Sequence, residues 1–158
     1  VYKRQDGAHV RLLSANHLKE RKQLDQRTYQ RHRYRGASSN LFYASVLDDD
    51  SASVFSGMIL VEEGAHDTSA YQSNRNLILS PQAETNSIPG LEILADRVQC
   101  SHGSATSSIS PEEIFYLLSR GIPEQTARSM IARGFLKHAL DQFSDEAIRT
   151  AVENIVLS

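Results

Sequence analysis

The sequence predicts a mainly β chain folded as stacked parallel coils, a β-helix or β-solenoid, followed by a small helical segment. From about Val10 to Ser108 the chain is a succession of short β-type runs (VRLL, LDQRTYQ, NLFYASVL, SVFSGMILV, NLILS and LEILADRVQC) separated by clusters of Asp, Ser, Asn, Gly and Pro. Two units superimpose at a separation of about nineteen residues: ILVEEGAHDTSAY from Ile59 against ILSPQAETNSIPG from Ile78, with Thr68 over Ser87. A repeat of that length suits one coil of a solenoid. A sandwich of hairpins is the rival, but Asp6-Gly7 is the only two-residue hairpin signal present.

The elements follow in order. Val1 to Gln5, VYKRQ, read as a leader foreign to the fold and are set aside, and the chain is expected to be the C-terminal piece of a longer protein. Residues 1–109 then form the β-helix core and 110–158 a C-terminal helical domain. Charge is uneven along the chain. Residues 1–36 hold ten Lys/Arg against three Asp/Glu, and residues 37–158 hold seven against sixteen, although the net charge is only −2. The basic run RTYQRHRYR, with Tyr29, His32 and Tyr34 interleaved, has the composition of a phosphate-binding and base-stacking strand. The plainer alternative places Arg27, Arg31, Arg33 and Arg35 on a solvated strand face or against acidic groups, and no nucleic-acid partner is expected.

At Ser110 the pattern changes. Ser110, Pro111 and Glu113 supply an N-cap, a proline at the first helical position and an acid three residues after the cap. Ile114, Phe115, Leu117 and Leu118 are the apolar face of this helix, and Gly121 is its left-handed stop. A second helix, from about Pro123 to Leu140, should bury Ala127, Met130, Ile131, Phe135 and Leu136. A third, capped by Ser144, runs to about Val156 with Ile148, Val152, Ile155 and Val156 on one side. Such helices either cap the last coil or present a docking surface.

Composition narrows the class. At 158 residues, 40% hydrophobic and 23% charged, the chain is long enough for one domain with a core, and no apolar run approaches the roughly 20 residues that cross a bilayer. No membrane association is expected. One cysteine allows no internal disulfide, and no secretory signal opens the sequence, so a cytoplasmic location is expected.

That cysteine is the centre of the chemistry. Cys100 and His102 close a strand-like run through Leu91, Ile93 and Val98, at the i, i+2 spacing that puts two strand side chains on one face. A thiolate and an imidazole together suit zinc, ferrous iron or an iron–sulfur cluster, but two ligands are half a site. A buried thiol packing as a small hydrophobe beside a turn histidine is the alternative.

FSGMILVEEGAHDTSAYQSNRNLILS, SIPGLEILADRVQCSHG and EEIFYLLSRGI, in this order, resemble the C-terminal half of the SufB/SufD family of iron–sulfur cluster assembly scaffolds, over about residues 9–140. The resemblance implies a right-handed parallel β-helix followed by a helical domain. Within the family, Ala83 stands where SufB carries its cluster-assembly cysteine, and Gly103 where SufB has a glutamate; CSHG, Cys100 to Gly103, matches the SufD branch. Ser104 departs from the branch's usual alanine and leaves His102 in register.

The resemblance further implies a subunit without catalysis of its own. It would pair with a SufB-like subunit, bind a SufC-like ABC ATPase through its helices, and share a transient iron–sulfur cluster across the SufB interface. His102 is then the metal-site candidate and Cys100 the weaker one. A polysaccharide lyase or glycosidase, built on a β-helix and using the acids at Asp48–Asp50 and Glu62-Glu63, is the alternative; the absence of Trp and of an export signal argues against it. His66 and Asp67 are expected to be solvated turn residues, and Thr68, Ser69, Asn74 and Asn76 to serve coil turns.

Overall fold

The computed structural model describes residues 1–3 and 5–157. Eight strands, β1 (Tyr2–Lys3), β2 (His9–Leu18), β3 (Gln23–His32), β4 (Ser38–Leu47), β5 (Ala52–Val61), β6 (Ser69–Ile78), β7 (Glu84–Ile93) and β8 (Gln99–Ser108), precede three helices, α1 (Pro111–Ser119), α2 (Glu124–Leu140) and α3 (Glu146–Val156). All strand pairings are parallel, and odd and even strands separate into two sheets ordered β1-β3-β5-β7 and β2-β4-β6-β8. The chain is therefore a β-solenoid of about three coils, each coil giving one strand to each sheet.

The nineteen-residue repeat is not the coil. Ile59 lies in β5 and Ile78 in β6, on opposite sheets. The true advance is 29 to 32 residues, as the pairs His9↔Ser38, Ser38↔Ser69, Ser69↔Gln99 and Ala52↔Glu84 show. Both half-coils are a ten-residue strand plus a short turn, so the sequence similarity registers half a coil plus a shift. The run LEILADRVQC likewise divides: Leu91–Ile93 end β7, residues 94–98 turn, and Gln99 and Cys100 open a new strand. Arg97 adopts φ 53° there, a left-handed conformation in a stretch with no glycine to announce it.

Left-handed residues recur at matching places in successive coils. Gly7 (φ 69°) bonds through its N–H to the carbonyl of Arg35, and Gly36 (φ 62°) in the same way to His66. On the other edge Glu20 (φ 63°) and Asp49 (φ 53°) stack, the Glu20 N–H donating to Asp49 Oδ2 at 2.8 Å. Ion pairs run along the coils beside these turns: Glu62 accepts from Arg31 and Arg33, and Asp67 from Arg35 and Arg97. The basic strand thus meets the acidic half of its own chain.

Alternation in β5 sends Ser53, Phe55, Gly57, Ile59 and Val61 into the solenoid. The interior is mixed. Ile59, Val61, Ala65 and Ala70 form an apolar cluster, whereas Asn16 donates to Ser45 Oγ at 3.2 Å and Asn74 to Ser87 Oγ at 2.9 Å. Asn74 and Asn76 are buried strand residues of β6, not turn residues.

The helices begin where the capping signal places them. Ser110 caps α1 in a full capping box with Glu113. Ile122 N–H to Leu117 O and Gly121 N–H to Leu118 O close it in a Schellman turn, with Gly121 at φ 78°. The cap of α3 is Asp145, whose side chain accepts from the Ile148 N–H, and not Ser144. The helices do not cover the last coil. They fold back onto the outer face of the even-strand sheet, where α2 lies on β4 and β2 and α3 on β2. Phe42, Ala44, Val46 and Leu77 share one core with Ala132, Leu136, Ala139, Leu140 and Val156. Met130, expected inside, is 48% exposed, because this sheet lies against the Ala132/Leu136/Ala139 side of α2.

His17 sits at this junction, its Nδ1 3.2 Å from the Val156 carbonyl at the end of α3, while Nε2 is buried without a partner. Burial, then Lys19, push its pKa below 6.5, opposed by the Val156 carbonyl and Asp48. Depression of a base means the unfolded chain binds the extra proton, so this contribution is complete above pH 6.5 and is lost as pH falls below it. Unfolding midpoints measured across this range should fall on the acid side, and His17→Gln should flatten that slope.

Gly57 faces inward, and a Cβ there would approach both amide atoms of Gln72 and the Phe55 ring at 2.6 Å. Gln72 cannot yield without breaking its buried hydrogen bonds to Gln30 and to the Gly57 carbonyl. Gly57→Ala should therefore destabilise by about 1–3 kcal/mol in denaturant unfolding.

Candidate functional site

Strand β8 ends the even-strand sheet and β7 the odd-strand sheet, so the last coil presents two ten-residue edges with no strand beyond them among the described residues. Its in-register pairing with β6 decides where its side chains go. Cys100 stands over Ala70 and His102 over Gln72, and both Ala70 and Gln72 are buried, Gln72 reaching across the interior to β5. The i, i+2 pair therefore does share one face, the lumen side of the last coil.

The two environments differ. Cys100 is half-buried and packs with Leu91, Ala95 and Val98 against the Ile59/Val61/Ala65/Ala70 cluster. Burial pushes its thiol pKa up, against a smaller opposing effect of a hydrogen bond with the Ala70 backbone. A thiol held protonated is a poorer nucleophile and ligand. His102 is exposed, because among the described residues no further strand pairs beyond β8 to cover it. An imidazole at the mouth of a solenoid can bind a soft or borderline metal or accept a proton from an incoming group. Among the described residues no three His, Cys, Asp or Glu side chains gather into a metal-holding group.

Other candidates lie elsewhere. Asp48–Asp50 and Glu62-Glu63 sit at opposite ends of β5, on the order of 30 Å apart along a ten-residue strand. That is far beyond the carboxylate spacing of a glycosidase, and Glu62 is committed to Arg31 and Arg33. Asp67 is held below the usual carboxylate range by hydrogen bonds from Arg97 and then Arg35, so it has a structural partner rather than bulk water alone. His66 Nδ1 lies 3.3 Å from the Asp96 carbonyl. His32 is fully buried, with Nε2 2.9 Å from Ser39 Oγ.

Sequence reasoning missed Gln30 and Gln72, both fully buried, with Gln30 Nε2 donating to Gln72 Oε1 at 3.1 Å. A glutamine fifteen residues after a glycine and thirty before a histidine carries no sequence signal until the coil length is known. It also missed the groove beside α1, about 460 Å³, lined by Ile109, Ile114, Phe115, Leu118 and residues of the β6–β7 turn. Phe115 is 72% exposed, and α1 turns only Ile114 and Leu117 inward.

Together these features define a β-solenoid protein with an imidazole and a thiol at an open coil end and an apolar helical flank. Residues 1–135 match the family described as SUF system FeS cluster assembly, SufBD core domain, and the chain belongs to that family. It is 37% identical over 128 residues to the iron–sulfur cluster assembly protein SufD of Escherichia coli, an alignment covering 81% of this chain and 30% of that protein. It is 42% identical over 105 residues to a SufBD family protein of Synechocystis, covering 66% of this chain and 23% of the relative. With SufD of Bacillus subtilis it shares 31% identity over 111 residues, 70% of this chain and 25% of the relative. The chain thus spans less than a third of the length of these relatives. None of its described helices is long and apolar enough to cross a membrane.

Proposed function

We propose that this chain is part of a SufD-like, non-catalytic scaffold subunit for iron–sulfur cluster assembly. The observation that carries the proposal is His102, aimed from the lumen face of an uncovered last coil between two unpaired strand edges. Paired strand edges satisfy backbone groups, and an edge this long is a template for another chain. A SufB-like subunit docked there would bring its thiolate to the imidazole and make a mixed site of the kind that holds iron–sulfur clusters. The cluster is cargo, held transiently and shared with that partner. Cys100, packed and protonated, contributes less. The location proposed is the cytoplasm, where a lone thiol stays reduced.

The helices of residues 110–158 serve the second partner, a SufC-like ABC ATPase. Phe115, Tyr116, Leu118 and Met130 are all exposed on α1 and α2, more apolar surface than a helical pair needs for its own packing. This favours a docking role over a cap, since the last coil is left open.

His102→Ala in the full-length protein, assembled with its partners, should lower iron and sulfide content at least about tenfold without preventing assembly, while Cys100→Ala should change it little. Equal loading in the His102 variant and the parent would show that the histidine is structural. Phe115→Glu with Met130→Glu should weaken ATPase binding by about 2 kcal/mol, roughly thirtyfold, and leave unfolding unchanged. Undiminished binding would return the helices to a purely structural role.

A further inference from the structure

The lumen column that ends at His102 runs Leu12, Leu41, Gln72, His102, one residue per coil of the even-strand sheet. Leucine fills it twice, and then an amide replaces it directly beneath the imidazole, about 4.8 Å below in a parallel ladder. Gln72 is fully buried. Its Oε1 accepts from Gln30 Nε2 at 3.1 Å, and its Nε2 donates to the Gly57 carbonyl at 3.2 Å.

Two other positions are arranged around this amide. Gln30 crosses the interior to meet it. Gly57 omits the Cβ that would strike its Nε2 and Oε1 at 2.6 Å, at the cost of a glycine in mid-strand. A leucine at position 72 would not need Gln30, although the Phe55 ring, also 2.6 Å from a Cβ at position 57, would still favour the glycine. Departures from simple apolar filling, grouped around one side chain, mark a functional demand more often than a packing one.

A glutamine amide has two N–H donors and two acceptor lone pairs, and the two bonds above use one of each. What remains can serve the coil above, where the register puts His102.

We propose that Gln72 is a positioning residue for His102, fixing the imidazole's orientation and basicity from beneath, with Gln30 and the Gly57 carbonyl holding the amide in place. The proposal rests on the role assigned to His102 in cluster assembly. Groups behind a ligating histidine typically change affinity or activity about 10–100-fold when removed. Gln72 acts through His102 and need touch neither metal nor cluster.

The test uses the full-length protein, free of its partner for modification of the ring, which docking at this coil end would cover, and assembled with its partner for loading. Carbethoxylation of His102, followed by mass spectrometry between about pH 5 and 8, gives the titration midpoint of that ring. Gln72→Glu should raise the midpoint and Gln72→Leu lower it, each by at least about half a unit, because one adds an opposite charge and the other removes a polar neighbour. Iron and sulfide loading should fall about tenfold in the leucine variant. Gln30→Met leaves Gln72 in place but unsupported and should move the midpoint in the leucine direction, which keeps the test decisive if a Gln72 variant fails to fold. Midpoints unmoved in the variants that fold, with loading still lost in His102→Ala, would overturn the role of Gln72 and leave that of His102 standing. Loading indifferent to His102→Ala would remove both.

Discussion

In-register parallel stacking is the constraint on which the rest of this molecule depends. Each pair of stacked strands is aligned over all ten residues, so the face of one inward residue sets the face of its neighbours in every coil. A slip of one residue would reverse every side chain in the strand. Extra residues, as in the 62–68 turn compared with 33–37, are absorbed in the connection and leave the ladders aligned. The left-handed residues stacked at the coil edges are the local means of keeping the turns compact.

The same constraint brings polar groups inside. A column cannot choose its residues independently of the sheet opposite, and where two polar side chains meet across the lumen they bond each other, as Asn74 does with Ser87 and Gln30 with Gln72. Satisfied buried polar pairs cost little and specify register, since a shifted strand would leave them unpaired. The even-strand sheet has a second, outward use. Phe42, Ala44 and Val46 project from β4 into the helical layer, so this strand is apolar on both faces while β3 alternates.

Much of this was legible in the residues. The strand-rich stretch, the scarcity of hairpin signals and the box at Ser110 each report local chemistry, and each led to the correct kind of element. The coil length was not legible, because strands of equal length on opposite sheets resemble one another as closely as strands on the same sheet do. The break inside LEILADRVQC was hidden for a related reason: Ala95 and Val98 pack under the turn and keep it apolar, and Arg97 takes a conformation usually left to glycine. For the site, the spacing of Cys100 and His102 was enough to put them on one face. Their unequal burial was not, since it comes from which neighbours the register supplies and from the lack of a further coil. Which faces of α1 and α2 turn inward depended on where the helices lie, and nothing in their periodicity says that they fold back over β2 and β4.

The two open edges of the last coil also bear on how such a protein is handled in a cell. Unpaired ten-residue edges in a rigid, pre-formed sheet offer the same template to a second copy as to a proper partner. Ile88, Ile93 and Leu94 are exposed beside them, and only Pro89, which has no N–H to offer, and the exposed Glu84 and Glu92 blunt the β7 edge among the described residues. An isolated copy is thus a seed for misassembly with others of its kind, and what occupies this coil end governs solubility as much as function.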